Sequence, residues 1–487
     1  MATLQQVLDH GWKLHQARRL EEAEAVYRQV LAVAPRSAEA WCYLGIVLYD
    51  RGRFQESVEA YRQAIQLRQR FPIAWSNMGN SLAALESWQE AEQAIRTAIA
   101  QQPDYATAWL NLGALYLKQG RLDESVRALE EAARLAPQNE TVHRNLGAAL
   151  VRCGRIEEGL QHNEQALRLA PRSAEARRNR AIVRLLMGDW QRGWEEYEWR
   201  WYCPEQSWPK RPEPLYEGQR LEGKRLLLIA EQGLGDTIQF IRYAHLARQQ
   251  GARIAAEIQP ELIPLLESFP DIEWLLPRGG PTMTCDYFLP LLSAPRVFGT
   301  RPDNVPAPIP YLSARPELID YWRKRLPPAP LRIGLVWQGS RSHPADQQRS
   351  MPLALLAKLA RPGRLLVSLQ KGFGTEQLRS LPEPHTVLDL GDELDAKAPF
   401  LDTAAVMSLL DLVICVDTAV AHLAGALGRP VWVALPFIPD WRWMLNRADT
   451  PWYPTMKLFR QPRHGDWLSV VAALDQALQE AYPRLST

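Results

Sequence analysis

The chain predicts an α-helical repeat superhelix followed by an α/β region built as two lobes with parallel sheets. Three observations carry this. The part before residue 207 repeats itself every 34 residues. From Lys224 onward, short apolar runs alternate with helical stretches. Residues 410–430, LDLVICVDTAVAHLAGALGRP, join an apolar strand to an amphipathic helix through a polar turn. Such a turn leaves backbone N–H groups and a helix dipole facing a phosphate.

With 487 residues, the chain has room for about two to four domains, each with its own core. The formal net charge is +2 and no long basic or acidic run occurs, so no nucleic-acid partner is expected. The start, MATLQQVLDHGWKLHQ, has no apolar signal core. No stretch reaches the roughly 18 apolar residues of a membrane span. The five cysteines are scattered and never form a C-x-x-C pair, which reads as reduced, structural thiols in a cytoplasmic protein rather than a disulfide frame or zinc site.

The repeats come first. Trp41, Trp75 and Trp109 fall 34 residues apart, with His143 at the next equivalent place. Gly11, Gly45, Gly79, Gly113 and Gly147 keep the period, as do Pro35, Pro103, Pro137 and Pro171. Ala64, Ala98, Ala132 and Ala166 keep it too. This W-x-x-L-G pattern resembles the tetratricopeptide repeat, two helices per unit, with small residues at the crossing and proline ending the second helix. Units fall at about 4–37, 38–71, 72–105, 106–139 and 140–173, with a degenerate sixth at 174–207. Arrays of this kind present a concave face to extended peptides.

Asn77, Asn111, Asn145 and Asn179 form a ladder on the first helices. An amide carries both donors and an acceptor, so the ladder either clamps a peptide backbone or orders the helices themselves. It resembles the asparagine ladder of the O-linked N-acetylglucosamine transferases. In the sixth unit Trp190, Trp194, Tyr197 and Trp201 share one helix face, with Trp199 and Trp208 nearby. This ridge reads as a docking surface or as a sugar-stacking one. The array is taken as 1–207 and a proline-bearing linker as 208–223.

In the second half the apolar runs are RLLLIA (225–230), ARIAAEI (252–258), IEWLLP (272–277) and YFLPLL (287–292). After the prolines at 327–330 come LRIGLVW (331–337), GRLLVSLQ (363–370), HTVLDLG (385–391), DLVICVD (411–417), VWVALP (431–436) and KLFRQ (457–461). The alternation with helices predicts two Rossmann-like lobes, 224–326 and 327–487. EQGLGD, residues 231–236, follows the first strand and is not a dinucleotide fingerprint, since G-x-G-x-x-G is absent.

The string at 410–430 closely resembles the nucleotide-sugar-binding element of the heptosyltransferases, glycosyltransferase family 9. The aromatic tail PDWRWMLNRADTPWYPTMKLFRQ, with Arg442 and Arg460 among its rings, taken together with EQGLGD and the helix GDWQRGWEEYEWRW, looks like a bacterial subfamily of repeat-fused, family 9-like glycosyltransferases. The resemblance implies a GT-B architecture and an inverting, metal-independent glycosyltransferase. The nucleotide sugar is then a substrate, and no cofactor is implied. It implies an acceptor side in the first lobe, with Asp236 as general base or, on the plainer reading, a helix cap. Gln232, Gly233, Gly235 and Gln239 flank it toward sugar and acceptor. The donor side falls to the second lobe: Arg349, where relatives carry a lysine; Ser368, Gln370 and Lys371 after a strand; and Asp417, Thr418, Ala419 and His422. No H-E-x-x-H, D-x-D or acidic metal cluster occurs. The motifs are poor guides to sugar and acceptor; the leading expectation is a protein or peptide acceptor recruited by the repeats, and analogy with other repeat-fused enzymes points to flagellin or another surface protein. A lipid-linked saccharide acceptor and a non-catalytic nucleotide-binding scaffold stand as alternatives.

Overall fold

The computed structural model describes residues 3–204, 208–306, 309–341, 345–381 and 387–483. The chain divides into two compact units, Met1–Arg180 and Ala181–Thr487. The degenerate sixth repeat, read at 174–207, is therefore shared between them.

In the first unit each period folds as a helix pair, from Leu4–Gln16 with Leu20–Val33 to Glu140–Arg152 with Ile156–Leu169. The repeated glycines are needed where paired helices touch: a Cβ at Gly79 would lie 2.3 Å from the Ile95 side chain. The recurring tryptophan does more than fill space. The indole N–H of Trp41 donates to the Pro35 carbonyl at 2.9 Å, and those of Trp75 and Trp109 donate to the carbonyls of Gln69 (3.4 Å) and Pro103 (2.9 Å). His143 Nε2 pairs with the Pro137 carbonyl (3.0 Å), and Arg177 donates to that of Pro171 (2.9 Å). Each side chain thus satisfies a carbonyl in the turn two residues beyond the end of the preceding helix. This explains why histidine and arginine can stand where the period calls for tryptophan.

The second unit holds two parallel sheets. In the first, β1 (Arg225–Ile229), β2 (Arg253–Ile258), β3 (Trp274–Pro277) and β4 (Tyr287–Pro290) lie in the order β3-β2-β1-β4. In the second, β5 (Leu331–Val336), β6 (Arg364–Ser368), β7 (Val387–Leu388), β8 (Leu412–Val416), β9 (Val431–Leu435) and β10 (Met456–Arg460) lie in the order β10-β9-β8-β5-β6-β7. All ten apolar runs form strands, each paired in parallel. That of HTVLDLG is cut to two residues, and its His385 and Thr386 lie outside the described residues. Strands β8 and β9 are buried at every position, as expected of strands covered on both faces. This is an α/β, GT-B-like arrangement of two doubly wound lobes.

The order reverses between β1 and β4 in one sheet and between β5 and β8 in the other. Ligands of doubly wound sheets sit outside the carboxyl ends of the strands at these points. Helix Pro316–Arg323 precedes the boundary read at 326/327, yet it packs on the second lobe, where the Trp322 indole donates to Asp402 at 2.8 Å.

The aromatic ridge belongs to the second unit. Helix Trp190–Tyr197 and the 3-10 turn Glu198–Tyr202 bury all four rings. Trp190 stacks on Trp452 with centroids 5.0 Å apart, and Trp194 meets Trp441 edge-on at 5.1 Å and Phe240 at 6.5 Å. The segment therefore touches both lobes. Its faces are consumed by packing, which favours the docking reading over sugar stacking.

Candidate functional site

The two motif strings meet across the cleft. Helix Leu234–Phe240 and helix Ala419–Ala426 pack together, and a Cβ at Gly235 would lie 3.0 Å from His422 Cδ2 and 3.2 Å from Ala419 Cα. Glycine at 235 is what permits that approach. Asp236 Oδ2 accepts the Gly233 N–H at 2.8 Å, a capping bond, while Oδ1 accepts from the guanidinium of Arg442. Gln239 is buried, and its Oε1 accepts from Arg442 Nε at 2.9 Å while its Nε2 finds no partner among the described residues. Arg442 also donates to Asp440 at 2.8 Å. Burial works against its charge, and Asp440 and Asp236 more than offset that, raising its pKa. Gln232 donates to the Tyr197 hydroxyl at 3.3 Å.

On the second lobe, Arg349, at the end of the short helix Asp346–Arg349, donates to the Asp417 carbonyl at 2.9 Å. This brings it beside Thr418, the N-cap of helix Ala419–Ala426. The Thr418 side chain makes no capping bond, and its buried Oγ1 has no hydrogen-bond partner among the described residues. Arg349 Nε makes no hydrogen bond among the described residues but is ion-paired with Asp346 at 3.6 Å, and Ser368 Oγ, at the end of β6, is likewise buried without a hydrogen bond there. Such groups cost roughly 1–3 kcal/mol each while unpaired. Gln370 is differently employed: its Oε1 accepts from the Trp337 and Gln338 N–H groups, and its Nε2 donates to the carbonyls of Gln338 and Phe373. It finishes the end of β5 and has no amide atom to spare. Lys371 is exposed.

His422 is buried, stacked on Trp443 at 5.3 Å, with Nδ1 3.2 Å from the Tyr453 hydroxyl. Burial, then the like charges of Arg442, Arg242 and Arg349, push its pKa well below the ordinary value. It is a neutral imidazole in a positive field. Burial raises the Asp417 carboxyl to about 6; Asp440 adds to this, and the Trp443 N–H, Arg349 and Arg442 offset it. Among the described residues no group of three His, Cys, Asp or Glu is arranged to hold a metal ion. No helix there is long and apolar enough to cross a membrane.

Residues 385–435 match glycosyltransferase family 9 (heptosyltransferase), and residues 5–194 match the C-terminal TPR domain of cilia and flagella-associated protein 70. The chain joins tetratricopeptide-type repeats to a family 9-like glycosyltransferase region. The family 9 match supports a glycosyltransferase, and the repeats suggest protein–protein interaction. Protein FlbA of Caulobacter vibrioides is 29% identical over 340 residues, 62% of this chain. The match spans about half of that protein's length, 54%. Among solved structures, a thermophilic TPR protein of Thermus thermophilus is 21% identical, with a TM-score of 0.36 over 38% of this chain and 100% of its own. PilF of Pseudomonas aeruginosa is 18% identical, with a TM-score of 0.37 over 42% of this chain and 93% of its own.

The second unit thus brings Gly235, Asp236 and Gln239 beside Ala419, His422 and Arg442, with Arg349 beside Asp417 and Thr418 and Ser368 at the end of β6; Gln232 and Gly233 stay within the first lobe's loop. Sequence reasoning did not assign Arg442 and Asp440 to the cleft. Arg442 lies 206 residues from Asp236, and its one signal was an arginine amid the aromatic tail. In the repeats, Asn77, Asn111, Asn145 and Asn179 are all half-buried. Asn111 donates to Ser76 Oγ in the preceding unit at 2.9 Å, so at that rung the amide does tie helices together.

Proposed function

We propose that the second unit transfers a sugar from a nucleotide-sugar donor to an acceptor hydroxyl, and that the acceptor is a protein recruited by the repeats. The observation that carries the donor side is the unpartnered Thr418 hydroxyl at a helix N-terminus beside Arg349. A diphosphate seated there would receive that hydroxyl, Arg349 Nε and the helix N–H groups. The positive field that keeps His422 neutral favours the same anion. As the bond from the anomeric carbon to the diphosphate oxygen breaks, these groups carry the charge of the leaving group. The acceptor oxygen bonds to the anomeric carbon and its proton passes to Asp236. Both oxygens of Asp236 accept hydrogen bonds, so this role requires Arg442 to release Oδ1, and the incoming anion is the group that can draw it away.

Both of those contacts also favour a second reading, in which Asp236 only holds the loop. A pH–rate profile separates the two: a base role gives an acidic limb that disappears in Asp236→Asn, whereas a structural role leaves the limb in place. Donor use is tested by incubating the protein with a panel of nucleotide sugars and measuring nucleotide release. No release, with no thermal stabilisation by any nucleotide, would sink the glycosyltransferase reading and leave the scaffold.

A further inference from the structure

The loop Glu231–Gly233 leaves β1 and delivers Asp236, and its own lobe holds it from one side. Gln259 Nε2 donates to the Gln232 carbonyl at 2.9 Å, and Gln259 Oε1 accepts from Thr237 Oγ1 at 2.8 Å. The other hold comes from the aromatic segment. Arg200 is 1% exposed and grips Glu231 with two parallel bonds, Nε to Oε2 at 2.9 Å and a terminal nitrogen to Oε1 at 3.1 Å. Its remaining donors go to Ser293 Oγ (2.7 Å), Glu198 (2.7 Å) and the Tyr197 carbonyl (3.3 Å). Burial opposes the Arg200 charge, and Glu231 and Glu198 more than overcome it. Glu231 Oε1 also accepts the Leu292 N–H just after β4, at 2.9 Å. The guanidinium thus fills the point where the strand order of the first sheet reverses. One residue further along the loop, Gln232 is bonded to the Tyr197 hydroxyl.

We propose that Arg200 and Tyr197 are positioning residues for the loop that presents Gln232 and Asp236, so that the last repeat-derived helix supplies part of the catalytic apparatus. This rests on the glycosyltransferase reading. A bidentate guanidinium–carboxylate pair fixes direction as well as distance; Glu231 is held this way, and the adjacent Gln232 by one bond to a hydroxyl, both from a segment more than 30 positions upstream. Misplacement of a catalytic group by about 1 Å costs on the order of 100-fold in rate.

The test uses the full chain with Tyr197→Phe, which removes one hydroxyl from a ring that stays packed, and Arg200→Lys, which keeps the charge and loses the fork. Each is compared with wild type by nucleotide-sugar turnover, nucleoside diphosphate affinity, unfolding temperature and amide exchange. Both variants should speed exchange at 231–236 while leaving β8 and β9 protected. They should lower kcat by about 10-fold or more with nucleotide affinity unchanged. Tyr197→Phe should do so without lowering the unfolding temperature, a split that a purely structural role would not give. Unchanged exchange at 231–236 in Tyr197→Phe overturns the proposal, and so does faster exchange with unchanged kcat. If wild type itself releases nucleotide from no sugar donor, the glycosyltransferase reading has failed instead, and the failure is recognised because it precedes any substitution.

Discussion

At the carboxyl ends of β1 and β4 all three nitrogens of Arg200 find acceptors, and the Glu231 carboxylate is held on both oxygens. At the carboxyl ends of β6 and β8, the Ser368 and Thr418 hydroxyls are buried with no hydrogen bond among the described residues. Two lobes of one topology thus treat the same crevice oppositely, one filled from within the chain and one left with unspent donors. Folding selects for satisfied polar groups, so a filled crevice needs no ligand, while one with orphaned groups is completed by something that brings acceptors. On the proposed function, the anionic donor belongs to the second lobe. The first lobe is left to hold the loop that faces it.

The comparison can be broken in order of expected effect. Asp236→Asn should lower transfer by about 100-fold or more while nucleotide affinity stays near wild type. Unchanged turnover would remove the base from the first lobe. Next, Arg200→Ala leaves Glu231 buried without its partner and should destabilise the second unit by about 3–5 kcal/mol in chemical unfolding. A loss under about 1 kcal/mol would mean that the filled crevice is not a structural device. Trimming the chain to 208–487 should be worse still for solubility than 181–487, because it uncovers Trp441, Trp452 and Phe240, which the ridge buries.

In the open crevice the signs reverse. Thr418→Val removes an orphaned hydroxyl at similar volume, so ligand-free stability should hold or rise slightly. A clear loss would show that the hydroxyl is already satisfied. The smallest effect is one of pH. Asp417 titrates at about 6 in the folded chain, raised from 3.8. Between those values the folded state keeps a proton that the unfolded chain has released, so this group's contribution to stability falls as pH rises through the window. Asp417→Asn should therefore raise the unfolding temperature at pH 7.5 by roughly 2–6 °C, with a smaller gain at pH 4.5. Equal gains at both values would place the carboxyl in an ordinary environment.

What could be read from sequence follows from how local the determinant is. The strands were legible because a strand buried on both faces needs an unbroken apolar run, and LVICV or VWVAL supplies one. The helix pairs were legible because a fixed period places glycine and tryptophan at the same crossing each time. The cleft was legible in part, since EQGLGD and DTAVAH each hold their geometry locally. Groups recruited over long distances were not. Arg442 joins Asp236 across 206 positions, and Arg200 meets Ser293 across 93. Gln370 looked like a ligand group for its place after β6, and only the packing shows its amide spent on the end of β5. The ridge at 190–201 kept a repeat's periodicity while packing within the second unit, so the period alone could not assign it.

The assignment of the anion to the second lobe is tested most directly by calorimetric titration with a set of nucleoside diphosphates of wild type, Thr418→Val, Arg349→Ala and Ser293→Ala. Wild type should bind at least one of them. Affinity should fall by about 10-fold or more in Thr418→Val and Arg349→Ala, the loss of a charge-assisted hydrogen bond, and should stay at the wild-type value in Ser293→Ala, which alters the filled crevice. Equal affinity in all four proteins, or a loss confined to Ser293→Ala, would contradict it.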